Sequence, residues 1–275
     1  MIFKDEVYRG ANGKESLIDL EIPKKFNGEI IIFLHGFMGF KDWGAWHLVQ
    51  AHFTNEGFGF CKFNTTHNGG TIMNGIDFSD LDAFKENTYT KEIEDVKCAI
   101  DWINAKVSKW NGHLIGHSKG GAVALIAGKK LKSIASVATW AAIASIGERF
   151  PIKLQLEEWK KNGVRYIKNG RTHQELPQSI DLYNDYKKNE KAYNLQDLCL
   201  NYVKPVFIAH GEDDHAVPIE NGQRLAIWTQ QSLHTISNAN HVFQSKHPWT
   251  APTLPPELRK LCNKTIEFIR SLAQQ

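Results

Sequence analysis

The stretch His113-Leu114-Ile115-Gly116-His117-Ser118-Lys119-Gly120-Gly121-Ala122-Val123-Ala124 decides how this chain is read. A short apolar run enters a Gly-x-Ser-x-Gly core and leaves into a small-residue, helix-favouring segment. Strand, sharp turn and helix in that order make a nucleophile elbow. A serine on so tight a turn has a strained backbone, and Gly116 and Gly120 keep side chains from colliding where strand and helix close up. The Ser118 hydroxyl is then held at a helix N-terminus, where backbone N–H groups favour a developing negative charge. A serine placed in this way needs a base, an acid and oxyanion donors from elsewhere in the chain.

Upstream of the elbow, residues 2–9 and 15–22 read as two strands around the Gly10-Ala11-Asn12-Gly13 turn. Residues 29–34 are almost wholly apolar, as in a strand buried on both faces of a parallel sheet. That strand leads to His35-Gly36-Phe37-Met38-Gly39, at the edge where open α/β sheets bind ligands. Helical stripes at 43–56 and 90–110 flank a strand at 58–63, and residues 71–86 read as loop or short turns. Downstream come a helix at 119–131, strands at 133–144, 205–209 and 232–237, and helices at 219–230 and 256–272. Strands alternating with helices predict an α/β fold, a mostly parallel sheet covered by helices on both faces. Between Gly147 and Asp197 the sequence turns charged and aromatic, and residues 164–172 read as strand, Asn-Gly turn, strand. No Gly/Ser linker bounds it, so residues 1–275 are expected to form one domain with a cap or lid insertion at 145–200.

Composition narrows the class. Hydrophobic residues make up 42% and charged residues 23%, the balance of an ordinary soluble protein. A net charge of +3 without a basic block points to neither a nucleic acid nor an anionic membrane as partner. Cys61, Cys98, Cys199 and Cys262 form no C-x-x-C pair, so free thiols in a reducing compartment are expected. The first residues carry acids where a signal peptide needs an apolar run, and no apolar stretch approaches a membrane span. The expectation is a cytoplasmic protein with no membrane partner. The oligomeric state stays open, a homodimer included.

The base must come from among 12 histidines. His241, in Asn238-Ala239-Asn240-His241-Val242-Phe243, lies in the loop after the late strand; His210 and His215 lie near the preceding strand, and His117 adjoins the serine. The acid comes from Gly211-Glu212-Asp213-Asp214, beyond the strand ending at Ala209, with Asp213 and Asp214 both open. The order Ser118, Asp214, His241 is the Ser…Asp/Glu…His order of one hydrolase fold.

Four segments together resemble the α/β-hydrolase superfamily: His35-Gly36-Phe37-Met38-Gly39, Gly116-His117-Ser118-Lys119-Gly120, Gly211-Glu212-Asp213-Asp214 with Val217-Pro218, and Asn240-His241-Val242-Phe243. They span the chain in the superfamily's order. The His-Gly-Phe-x-Gly loop and the lid-length insertion are most similar to the dienelactone-hydrolase-like and cinnamoyl (feruloyl) esterase-like branch. In that branch the acid follows the glycine by three residues, which selects Asp214. The resemblance implies catalytic residues Ser118, Asp214 and His241, and oxyanion donors in the backbone N–H groups of Phe37 and Lys119. The Lys119 ammonium is then expected to be a solvated charge or a lid contact, and His35 to brace its loop.

The implied activity is a serine hydrolase cleaving a small-molecule carboxylic ester through an acyl-enzyme. A peptidase or thioesterase on the same triad is the alternative. A non-catalytic binding protein of this fold would normally lack a triad member. An aspartate at position 118 would have pointed to dehalogenase or epoxide chemistry instead. No zinc-ligand spacing occurs, so neither metal nor organic cofactor is expected. In the insertion, Trp159, Tyr166, Tyr183 and Tyr186 are candidate walls of the substrate pocket, or they pack the insertion onto itself.

Overall fold

A computed structural model describes residues 1–272. Its main sheet has eight strands: β1 (Ile2–Arg9), β2 (Glu15–Glu21), β3 (Glu29–Leu34), β4 (Gly59–Phe63), β5 (Asn111–His117), β6 (Ile134–Trp140), β9 (Val206–Gly211) and β10 (Leu233–Ile236), in the order β1-β2-β4-β3-β5-β6-β9-β10. From β4 to β10 all neighbours are parallel; β1 and β2 add an antiparallel edge. This is the α/β architecture expected of the sequence. After β3 the chain goes to β4 on one side, then returns to lay β5 on the other. Strand order therefore reverses between β3 and β5, which opens a crevice beyond their carboxyl ends. The His35–Gly39 loop leaves β3 there, and Ser118 leaves β5.

Period-two alternation distributes the core between two layers. Ile30, Ile32 and Leu34 face one apolar cluster, with α3 (Tyr89–Asn104) and α4 (Lys119–Lys130). Ile31 and Phe33 face the other, with α1 (Trp46–Asn55) and α9 (Pro256–Leu272). α9 shows the expected stripe, with Leu258, Leu261, Cys262, Thr265, Ile266 and Ile269 buried at three- and four-residue spacing. Thr88 caps α3 by accepting the Lys91 N–H at 3.2 Å, and the helix ends at Asn104, short of the expected 110. The four cysteines are free, three of them buried.

Between β6 and β9 the chain leaves the sheet for α5 (Leu154–Asn162), an antiparallel pair β7 (Val164–Lys168) and β8 (Glu175–Ser179), α6 (Asp181–Lys188) and α7 (Leu195–Leu200). The tight Asn-Gly hairpin expected here is corrected to a longer loop, residues 169–174. Asn169 Oδ1 accepts the N–H groups of Arg171 at 2.8 Å and Thr172 at 3.2 Å, holding residues 170–172 off the strand path. The segment is pinned to the main body: Arg171 pairs with Asp77 at 3.0 Å, and Gln174 donates to the Phe78 carbonyl at 3.0 Å. The Thr90 N–H donates to Asp185 at 3.1 Å. Residues 81–85, within the stretch expected as loop or short turns, form the short helix α2 (Leu81–Lys85), whose first turn Asp80 caps through the Ala83 N–H. In the main body, α8 (Glu220–Thr229) packs on the same face as α4. Among the described residues no helix is long and apolar enough to cross a membrane.

Candidate active site

β5 is a central strand, so its carboxyl end is walled by loops from both neighbours. Ser118 follows it at φ 57°, ψ −122°, a conformation that costs a non-glycine residue free energy. The turn is held because the Ser118 N–H donates to the Trp140 carbonyl at 2.9 Å and its carbonyl accepts from Gly121 N at 3.0 Å. A Cβ on Gly116 would sit 2.3 Å from the Gly120 carbonyl oxygen, and one on Gly120 would sit 2.5 Å from that of His35. Both obstacles are backbone and cannot swing aside. Gly116→Ala is therefore expected to destabilise the fold by about 3 kcal/mol through overpacking, read as a lowered urea midpoint; an unchanged midpoint would show that the elbow can spread.

Asp214 lies three residues beyond β9. Its Oδ1 accepts the N–H groups of Ala216 at 2.9 Å and Val217 at 2.8 Å, and its Oδ2 pairs with His241 Nδ1 at 2.8 Å. His210 Nε2 approaches the same Oδ2 at 3.2 Å while donating to the Val217 carbonyl at 2.7 Å. Burial works to raise the Asp214 pKa, but the hydrogen bonds from His210 and His241 outweigh it and hold the carboxyl well below the usual range. Asp213 is exposed. The backbone of the His241 loop is braced by His117, whose Nε2 donates to the His241 carbonyl at 2.8 Å. The two rings lie 4.8 Å apart, with Trp46 packed 5.5 Å from His117.

His117 is thus a neutral donor. Burial first, then the charge on His241, lowers its pKa from 6.5 to about 3. An unfolded imidazole protonates first as pH falls, so the folded state loses stability between pH 6.5 and about 3 and not above that window. His117→Gln can still donate to the same carbonyl but cannot titrate. Between about pH 4 and 6 its unfolding free energy should fall less steeply than the parent's, by about 1.4 kcal/mol per pH unit. Equal slopes in urea titrations would rule out the neutral buried imidazole.

The loop after β3 is fixed by His35, whose Nδ1 donates to the Gly36 carbonyl at 2.9 Å and whose Nε2 accepts the Thr65 N–H at 3.2 Å. Among the described residues neither the Phe37 nor the Lys119 backbone N–H donates to a protein acceptor. Lys119 opens α4, where the first N–H groups have no intrahelical partner. The expectation for its side chain needs correcting. The ammonium is not a solvated charge: it pairs with buried Glu92 and lies 5.5 Å from the Phe37 ring and 5.6 Å from that of Tyr89.

Ser118 stands where two cavities meet. One, about 230 Å³, is shared with His241, His117 and the His35–Gly39 loop. The other, about 210 Å³, runs under β7 and β8, between Phe37, Phe84, Tyr89, Ile143, Phe150 and Leu182. Among the described residues no hydrogen bond joins Ser118 Oγ to the imidazole of His241; such bonds are often long before substrate binds.

The four aromatics expected as pocket walls line neither of these cavities. Trp159 is 1% exposed, with its indole N–H on the Gln178 carbonyl at 3.0 Å, whereas Tyr166 is 62% exposed. Tyr183 and Tyr186 pack against Phe150 from outside. Strand alternation explains the miss on β7: Arg165 and Ile167 face the cavity, so Tyr166 between them faces away. The roles of His117 and His210 were also missed, although both flank recognised motifs.

One group of three carboxylates among the described residues, Asp5, Asp19 and Asp42, has oxygens close enough to suit a cation. That space already holds the ammonium groups of Lys41 and Lys62. Lys41 lies 2.7 Å from Asp5 and 2.9 Å from Asp19, and Lys62 lies 2.6 Å from Asp19. Two ammonium groups thus sit among the three carboxylates and leave a single net negative charge.

A comparison with curated proteins finds no match. Among solved structures, Est1E from Butyrivibrio proteoclasticus with ferulic acid bound is 19% identical, with TM-score 0.72 over 98% of this chain and 100% of that one. The esterase domain of a Rhodothermus marinus protein is 18% identical, with TM-score 0.61 over 89% and 91%. Alpha/beta hydrolase domain-containing protein 10 from mouse is 17% identical, with TM-score 0.68 over 97% and 99%. At such identities the likeness speaks for the fold. The family model described as BD-FAE matches residues 18–229, most of the chain and all of the elbow and acid segments. This chain belongs to the BD-FAE family and has the α/β-hydrolase fold.

Proposed function

We propose that this protein is a serine esterase for small-molecule carboxylic esters. The observation that carries the reading is the buried Asp214 paired at 2.8 Å with His241, whose imidazole shares a cavity with Ser118. In this reading Ser118 Oγ attacks the ester carbonyl and His241 takes its proton. Asp214 keeps the Nδ1–H tautomer and stabilises the imidazolium. The Phe37 and Lys119 N–H groups receive the oxyanion, pre-aligned by the His35 brace and the start of α4. The imidazolium then protonates the leaving alcohol, so that group occupies the cavity lined by His241. The acyl group occupies the other. Water repeats the cycle and releases the acid.

Residues 145–200 act as a cap within the single domain, since β7, β8 and α6 supply the far wall of the acyl cavity. The four free thiols suit a reducing compartment. The test is a fluorophosphonate probe followed by mapping of the modified peptide, with a panel of aryl esters in parallel. An adduct on Ser118 and ester turnover are expected; an adduct elsewhere, or none, would refute the reading.

A further inference from the structure

Among the described residues, two arginines in the cavity on the acyl side of Ser118 have no carboxylate partner. Arg165 and Arg149 line it together with Lys119. Lys119 is neutralised by Glu92, but among the described residues neither arginine is paired with an acid. Arg165 is built in place. Its guanidinium lies 4.1 Å from the Trp159 ring, and its Nε and Nη2 both donate to Gln178 Oε1, at 3.0 and 2.7 Å. Gln178 is buried, and the Trp159 indole is anchored to the Gln178 carbonyl at 3.0 Å. The guanidinium is therefore held in one orientation by stacking and by a neutral amide. An amide leaves the positive charge uncompensated, and burial lowers the Arg165 pKa with no neighbouring acid to oppose it.

An unpaired cation in a partly buried cavity is costly unless the ligand brings the counter-charge. The planar fork matches a carboxylate, and a charge-assisted hydrogen bond is worth more than a neutral one. Phe37, Phe84, Ile143, Phe150, Ile167 and Leu182 give the same cavity a large apolar share beside the polar Asn87, Tyr89 and Gln178. We infer that the acyl group carries a carboxylate at its far end, read by Arg165 with Arg149, so that the preferred substrates are monoesters of dicarboxylic acids. This inference rests on the esterase reading above and names its substrate class.

The experiment compares mono(4-nitrophenyl) esters of adipic, pimelic and suberic acids with 4-nitrophenyl esters of unbranched monocarboxylic acids of matching length. At least one anionic ester should exceed its neutral partner in kcat/KM by about tenfold or more, mostly through a lower KM. Raising the salt to about 0.5 M should shrink that ratio. Arg165→Met and, separately, Arg149→Gln should each lower the ratio by about fivefold or more, and Arg165→Lys should retain part of it. Labelling of Ser118 reports whether each variant is folded, and Arg149 is exposed, so its replacement is not expected to unfold the chain. Equal handling of the two series, or a preference that survives both replacements, would overturn the carboxylate-ended acyl group. So would failure of both series while the probe still labels Ser118. Failure of labelling as well would overturn the esterase reading on which the inference rests.

Discussion

Ser118→Ala is expected to leave a folded protein whose ester turnover falls by about 10⁵- to 10⁶-fold, with no fluorophosphonate adduct. The loss is large because, in the proposed mechanism, every later step needs the acyl-enzyme. The fold should survive because the change removes one hydroxyl that makes no hydrogen bond among the described residues and leaves no cavity of consequence. Alanine also relieves nothing: the backbone at φ 57° is imposed by the Trp140 and Gly121 hydrogen bonds, which do not involve the side chain. His241→Ala should fall to a similar residual rate, and the double variant little further, since nucleophile and base act as a unit. Additive losses in the double variant would mean that His241 does not serve Ser118.

Asp214→Asn is expected to cost about 10⁴-fold in turnover. The carboxylate now accepts from two backbone N–H groups and two imidazoles, so it is ionised and acceptor-only. An amide must present an N–H somewhere in that shell. If it faces His241, Nδ1 becomes an acceptor and the proton moves to Nε2, where the base is required. Asp213, one residue earlier, is exposed and lends only its backbone N–H to the Ala239 carbonyl at 2.9 Å. Asp213→Asn should therefore stay within about twofold of the parent, as for a surface change. Turnover measured well below each variant's melting temperature separates the two, and the reverse ranking would move the acid to Asp213.

Much of the fold was legible because its signals are local. An apolar run of 29–34 is a buried strand whichever helices cover it, and β3 has every residue after Glu29 buried. The stripe at 256–272 carries its own period and became α9 with the same bounds. The elbow is local at Gly116, whose clashes lie within five residues, whereas Gly120 answers to Leu34 and His35 at the end of the neighbouring strand. Errors fell where a side chain competed with the backbone. Asn169 draws the Arg171 and Thr172 N–H groups to itself and delays β8 to Glu175.

The sequence by itself determined the element order and the strand-turn-helix at Ser118, because these follow from short-range pattern and chain order, whereas Asp214 was preferred to Asp213 only through the family resemblance. Tertiary structure alone decided the rest of the site. Lys119 meets Glu92 from another helix, His210 turns onto Asp214 alongside His241, and His117 reaches a carbonyl 124 residues away. The cavity wall under β7 is made by Arg165 and Ile167 and not by Tyr166, because the face that β7 turns inward is set by its register with β8 and by what lies beneath. A strand's period states which residues share a face. Which face is buried depends on packing against residues far along the chain, where the burial of apolar area and the pairing of charge are settled together.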